Sequence, residues 1–204
     1  MKKILSLVLV FVMAMALSTC ALGEIKTTPY QHPVLGFTIQ APVGWLQMDS
    51  QNIAKLMADP SVAKSFPNVD ISAYVDQCIA NEMTMFMDIK GSNFNIVGEN
   101  VGSAFTADQL NLLLTPSLIS QYQQIFPSVN FIVDGDTCKM GDNEYAYIVY
   151  EASTGVNTVI GAQYMICESG MLYYITLTID NAMKVADYIE IDTMFDKVLA
   201  SFAE

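Results

Sequence analysis

The stretch from Thr158 to Ile179 constrains this chain most. Two runs, Thr158 to Cys167 and Met171 to Ile179, flank Ser169-Gly170. Apolar residues recur at every second position on both sides, the period of a β-strand, and the small residues between them mark a hairpin turn. A two-residue turn opposes Ile160 to Ile179, Ala162 to Leu177, Tyr164 to Ile175 and Ile166 to Tyr173 on one almost wholly apolar face. Gln163/Thr176, Met165/Tyr174 and Cys167/Leu172 share the other face. A slip of one residue exchanges the two faces, so the pattern pins the register.

A hairpin of this length needs neighbours, and the rest of the chain supplies them. Leu35, Phe37, Ile39 and Ala41 alternate as a strand, and Trp45 to Met48 reads as a second strand after the Pro42-Val-Gly-Trp45 turn. Ile53, Leu56 and Met57 are spaced for a short helix. Asp70 is a candidate N-cap for an amphipathic helix carrying Ile71, Tyr74, Val75, Cys78 and Ile79. Met83 to Ile89 and Phe94 to Val101 read as two strands. Thr106-Ala-Asp-Gln109 is a capping box that opens a helix, and Thr115-Pro116 starts a second, with proline at its first position. Val129 to Val133, a bulge or turn at Asp134-Gly135-Asp136, Thr137 to Met140 and Glu144 to Ala152 add strands. Asp187 to Phe202 closes the chain as a helix with Ile191, Met194, Phe195, Val198, Leu199 and Phe202 on one stripe. The expected architecture is α+β, an antiparallel sheet backed by helices on one face.

The N-terminus stands apart. Met1-Lys2-Lys3, the apolar run Ile4 to Leu17 and the small residues up to Gly23 form an export signal. Cleavage before Glu24 frees a secreted, extracytoplasmic protein. Leu17-Ser18-Thr19-Cys20 offers the alternative of a lipobox whose Cys20 is lipidated, with the protein anchored to the cell membrane. The organisation expected is a signal peptide at 1–23, a leader or tether at 24–33, and one domain at 34–204.

Charge limits the partners. The nine basic residues are all lysines against 21 acids, a net charge of −12, and loss of Lys2 and Lys3 with the signal makes it −14. Such a chain repels phosphate backbones and anionic lipid, so nucleic acid is not a partner, and a membrane is reached only through Cys20. Without arginine there is no bidentate fork for phosphate or carboxylate ligands. The acid excess leaves solubility, or attraction to cations or a basic partner surface, as its uses. Cys78, Cys138 and Cys167 are an odd set at spacings that match neither a disulfide framework nor a zinc site, and they are expected as three thiols, mostly buried.

Candidate chemistry is sparse. His32 is the only histidine, and it falls in the leader, where no nucleophile can be held against it. The chain carries no nucleophile elbow, zinc-binding His pair or phosphate loop. No catalytic residue and no cofactor is expected. Asp134, Asp136, Asp142 and Glu144 cluster around turns and are weak metal candidates, since calcium needs six to eight oxygens; turn chemistry is their plainer use. Tyr145, Tyr147, Tyr150, Tyr164, Tyr173 and Tyr174 crowd the last strands, and tyrosine suits interfaces through its apolar body and polar tip. Tyr174 and Met165, on the less apolar hairpin face, are the candidate partner-binding residues.

Several phrases, in order, resemble the PsbP/Mog1-like family. They are Gly36-Phe-Thr-Ile-Gln-Ala-Pro-Val-Gly-Trp45, Asn93-Phe-Asn-Ile-Val97, the helix pair Leu113 to Pro127, the hairpin with Gly170-Met-Leu-Tyr-Tyr174, and the final helix ending Ser201-Phe202. The resemblance covers roughly Leu35 to Phe202, with a longer, more helical Asn52 to Glu82. It implies a non-enzymatic scaffold with assembly or binding roles, in a family that includes exported bacterial proteins of unknown role and photosystem II extrinsic subunits. The expected function is therefore a non-catalytic exported domain that binds a protein or envelope component. A small-ligand or weak cation-binding envelope lipoprotein is the alternative, and a hydrolase comes last.

Overall fold

The computed structural model describes residues 24–65 and 71–203. In chain order its elements are β1 (Thr27–Gln31), β2 (Thr38–Pro42), β3 (Leu46–Met48), α1 (Ile53–Ala58), α2 (Pro60–Ser65), a 3-10 turn (Ile71–Tyr74) running into α3 (Val75–Ala80), β4 (Thr84–Met87) and β5 (Asn93–Asn100). There follow α4 (Ala107–Ile125), β6 (Ser128–Met140), β7 (Asn143–Ser153), β8 (Thr158–Glu168), β9 (Met171–Asp180) and α5 (Val185–Ser201). The main sheet is ordered β3-β4-β5-β9-β8-β7-β6 and every pairing in it is antiparallel. β1 and β2 form a separate ribbon.

The β8–β9 hairpin has the register its alternation requires. Ile160 opposes Ile179, Ala162 opposes Leu177 and Ile166 opposes Tyr173. Ser169 and Gly170 have φ of 46° and 85°, the two positive values that a two-residue turn needs to match the twist of its strands. Next to it, Tyr150 of β7 pairs with Gly161 of β8, and a Cβ on Gly161 would lie 2.2 Å from the Tyr150 ring. The glycine is what lets that ring lie flat on the sheet.

Helices cover both faces of the sheet, not one. Ile191, Met194, Phe195, Val198 and Leu199 of α5 pack with Phe37, Phe94, Ile175 and Leu177 on the first face, together with the β1–β2 ribbon. On the second face α4 sets Leu110 against Ala146, Met165 and Leu172, and lays Leu118, Tyr122 and Phe126 over Ile148, Tyr150 and Val159. The face that looks less apolar in the hairpin alone still carries Met165 and Leu172. Adding β7 makes it worth sealing, at about 1.5–3 kcal/mol for each large side chain fully buried.

α4 is one helix where two are expected. Its capping box is formed: Thr106 Oγ1 accepts from the Gln109 N–H at 3.3 Å, and Gln109 Oε1 accepts from the Thr106 N–H at 2.9 Å. Pro116 lies inside the helix and removes one N–H. The carbonyl it deprives belongs to Leu112, whose side chain is 77% exposed, so water reaches that side. The stripe Leu110, Leu114, Leu118 and Tyr122 packs on the sheet from both sides of the proline. That burial outweighs the roughly 3 kcal/mol an interior proline costs.

The expected leader is also built into the fold. Thr27–Gln31 pairs with Thr38–Pro42, Ile25 packs on the core, and Tyr30 sets its ring edge-on to Phe86 at 5.3 Å. Pro29 is tolerated because a ribbon strand need not donate on both sides. At the other end, Thr38 and Ala203 exchange backbone hydrogen bonds of 2.7 and 3.0 Å, tying the C-terminus to β2. The last carbonyls of α5 are capped from the sheet: Asn143 Nδ2 donates to Leu199 O and Phe202 O, and the Tyr145 hydroxyl donates to Leu199 O at 2.7 Å. The expected export signal, Cys20 and the N-cap Asp70 lie outside the described residues.

Candidate interaction surface

The structure separates the residues singled out in the sequence. Met165 is fully buried under α4 and Tyr174 is half-buried at the edge of the same cluster. An open patch on this pair is therefore corrected. The polar member of that face, Gln163, is buried too, and its Oε1 accepts from the Tyr122 hydroxyl of α4. A satisfied amide can be sealed under a helix, which is why a mixed face need not be a wet one.

The four acids point along exposed edges. Asp134 and Asp136 flank Gly135 where the β6–β7 register shifts, Asp142 occupies the β6–β7 turn, and Glu144 stands opposite Lys139. Among the described residues no three His, Cys, Asp or Glu side chains gather closely enough to hold a metal ion. Glu144 lines a cleft of about 240 Å³ with Asp108, Thr137, Cys138 and Lys139. A second cleft, of about 200 Å³, lies between Ile25 and the Ile189–Met194 side of α5. Both are smaller than the roughly 300–1,000 Å³ of small-ligand pockets.

The histidine and the described cysteines are packed into the fold. His32 is buried, and its Nδ1 accepts from the N–H groups of Val34 and Leu35 at 3.1 and 2.9 Å. Burial holds its pKa below the ordinary value, so the neutral ring is a turn brace. Cys78, Cys138 and Cys167 are free thiols. Burial pushes Cys78 up to about 11 and raises Cys138, where the carboxylates of Asp136 and Asp196 add to the effect. Thiols so shifted stay protonated at neutral pH and are poor nucleophiles.

One part of the sheet is left open by the described residues. Along β7 and β8 the positions Ala146, Ile148, Tyr150 and Met165 are buried beneath α4. The alternate positions Tyr147, Val149, Ile160, Ala162 and Tyr164, on the face that α5 only partly covers, are each half-buried. Tyr164 meets Phe195 of α5 at 5.7 Å, and Tyr147 stacks on Tyr164 with centroids 5.4 Å apart and planes 12° from parallel. The aromatic ladder thus runs from the core outwards and ends at Tyr147.

Acids border this strip. Asp136 is the cross-strand neighbour of Tyr147 and raises its phenol pKa, behind the larger effect of burial. Asp192 and Asp196, one turn apart on α5, do the same to Tyr164. Both are solvent-accessible, yet the sheet crowds them enough that desolvation lifts both carboxyl pKa values, Asp192 also by repulsion from Asp196. Among the described residues the ion pairs are Lys90–Asp187 and Lys197–Glu24, so neither α5 acid nor Asp136 has a lysine partner. The sequence shows the tyrosine crowd but not this site, because the open face depends on where the helices lie.

No protein-family model and no curated protein sequence matches the chain. Among solved structures it is similar to cyanobacterial PsbP (CyanoP) from Synechocystis sp. PCC 6803, at 16% identity and TM-score 0.50, over 92% of this chain and 98% of that one. It is also similar to the protein of unknown function PA94 from Pseudomonas aeruginosa, at 12% identity and TM-score 0.47, over 88% and 97% of the two chains. LpqN, involved in cell envelope biogenesis of Mycobacterium tuberculosis, matches at 12% identity and TM-score 0.38, over 89% and 91%. The likeness to CyanoP is one of fold: the chain has an α+β, PsbP/Mog1-like fold.

Proposed function

We propose that the protein is a non-catalytic, extracytoplasmic binding domain that docks a protein or envelope component on the open strip of its sheet. The observation that carries this reading is the half-buried, stacked pair Tyr147 and Tyr164, whose inner member packs on Phe195 and which acids flank. Rigid aromatic side chains with polar tips make good anchors at low entropic cost. The titratable groups support the same view. The one histidine braces a turn, and the raised pair Asp192 and Asp196 stands on an exposed side of α5.

The export signal supports action outside the membrane. If Cys20 is lipidated, the tether is shorter than a leader reaching Pro33 would make it. The chain from Cys20 to Thr27 spans at most about 25 Å when fully extended, and Glu24 is already paired with Lys197. Such a protein works close to the membrane surface. Intact-mass measurement on membrane and medium fractions separates the routes, and a chain beginning at Glu24 rules out the anchor.

The docking test is cross-linking in envelope extracts with the exported protein, comparing Tyr147→Ala/Tyr164→Ala with Leu112→Ser/Leu113→Ser on the outer side of α4. A specific cross-link lost only in the tyrosine variant is the expected result. A cross-link that survives it and disappears with the α4 variant moves the docking surface to the other side of the molecule.

A further inference from the structure

The open strip carries more than apolar area, and its chemistry narrows the occupant. Asp136, Asp192 and Asp196 border it without a basic partner among the described ion pairs. Asp136 is the cross-strand neighbour of Tyr147, and on α5 Asp196 follows Phe195, whose ring meets Tyr164 at 5.7 Å, with Asp192 one turn before it, so the three border one neighbourhood. Yet among the described residues no three acids there converge closely enough to hold a metal ion. Separate charges of one sign around an apolar floor suit several separate cations better than one coordinated ion.

Elimination points the same way. A second copy of this chain brings its own net charge of −12 and is repelled. Nucleic acid and anionic headgroups are repelled for the same reason. Lysine and arginine side chains, by contrast, lay their methylene stems on apolar surface while the charged head stays hydrated. A tyrosine face also attracts such a cation directly.

Resting on the docking reading above, we infer that the strip recognises a lysine- or arginine-bearing extended segment of a partner protein. Its cations meet Asp136, Asp192 and Asp196, and its stems lie over Tyr147 and Tyr164. Recruiting a cation relieves the repulsion between Asp192 and Asp196 that the free protein carries. Electrostatic complementarity of this kind sets association rate and salt dependence before it sets affinity.

The test is fluorescence anisotropy of the exported protein with labelled octalysine, octaglutamate and the small cation spermine as probes. Octalysine is expected to bind at low salt and weaken steeply as salt rises, with octaglutamate inert. Asp192→Asn/Asp196→Asn should weaken octalysine about fivefold or more, and Tyr147→Ala about two- to fivefold. The control Asp76→Asn/Glu99→Gln changes the same charge elsewhere and should leave binding within about twofold. Near-UV circular dichroism and urea midpoints verify that each variant is folded.

Equal weakening by the control reduces the effect to overall acidity and overturns the inference. So does spermine binding as tightly as octalysine, which makes the strip a small-cation site, or no octalysine binding at all. A cross-link in envelope extracts that depends on Tyr147 and Tyr164 but is untouched by Asp192→Asn/Asp196→Asn leaves docking intact and removes only the basic segment. Loss of neither cross-link nor probe binding in the tyrosine variant removes both.

Discussion

The two faces of the central sheet are built from the same strands and end differently. Under α4 the face is mixed in composition, with Gln163, Thr176 and Met165, and it is sealed at the β7–β8 end. Under α5 the hairpin face is almost entirely apolar, and its β7–β8 end is left half-open around Tyr147 and Tyr164. Composition of a face therefore does not decide its exposure. Helix placement does, and a single polar group is admitted under a helix when it finds a partner, as Gln163 finds Tyr122.

The largest effect expected from this contrast is at Met165. Met165→Ala should cost about 2–5 kcal/mol in urea unfolding, as a cavity under α4, while Tyr147→Ala should cost about 1 kcal/mol or less from the lost stacking. Equal losses would abolish the distinction between a sealed and an open face.

Next comes the polar lock on the sealed face. Tyr122→Phe leaves Gln163 Oε1 without its donor and should destabilise by about 1–3 kcal/mol, read from the same unfolding curves. On the other face, Asn143→Ala removes two donors from the end of α5 and should cost about 1–2 kcal/mol. Hydrogen exchange in the last turn of α5 should accelerate with it.

The pH dependence sharpens the comparison further. His32 has a folded pKa below its unfolded value of about 6.5. The unfolded chain then binds more protons in that window. Stability is full above about pH 6.5 and falls as pH drops below it. His32→Asn, which can still accept from Val34 and Leu35, should flatten that slope. Asp192 and Asp196 have the opposite sign: their raised folded values make the fold gain stability as pH falls through them.

The smallest effect is expected at the open face itself. Asp196→Asn should stabilise by about 0.2–0.5 kcal/mol through relief of the like-charge pair, and clear destabilisation would show that Asp196 has a structural partner instead.

Two local signals in the sequence, whose deciding contacts are close along the chain, are borne out. The β8–β9 register follows from period two and a two-residue turn, and the Thr106–Gln109 box from four adjacent residues. The bulge around Gly135 follows from its flanking acids and the register shift that the glycine permits. Signals fail where distant partners decide. Thr27–Gln31 is too polar to declare itself a strand, and its place comes from β2 and the Phe86 ring. Pro116 has the look of a helix start until a continuous stripe on either side of it meets the sheet. Met165 has the look of an interface residue until α4 lies over it.

The sequence by itself determined the acid excess without arginine, the hairpin register and an antiparallel α+β fold, because each rests on composition or on period within a short stretch. Only the tertiary structure decided which face of the sheet is closed, that the first strand joins the fold, and that Met165 is sealed under α4 while Tyr147 and Tyr164 keep partial access to solvent. The reason is that burial is a property of pairs of surfaces, and α4 and α5 reach the sheet from parts of the chain that no local pattern connects to it.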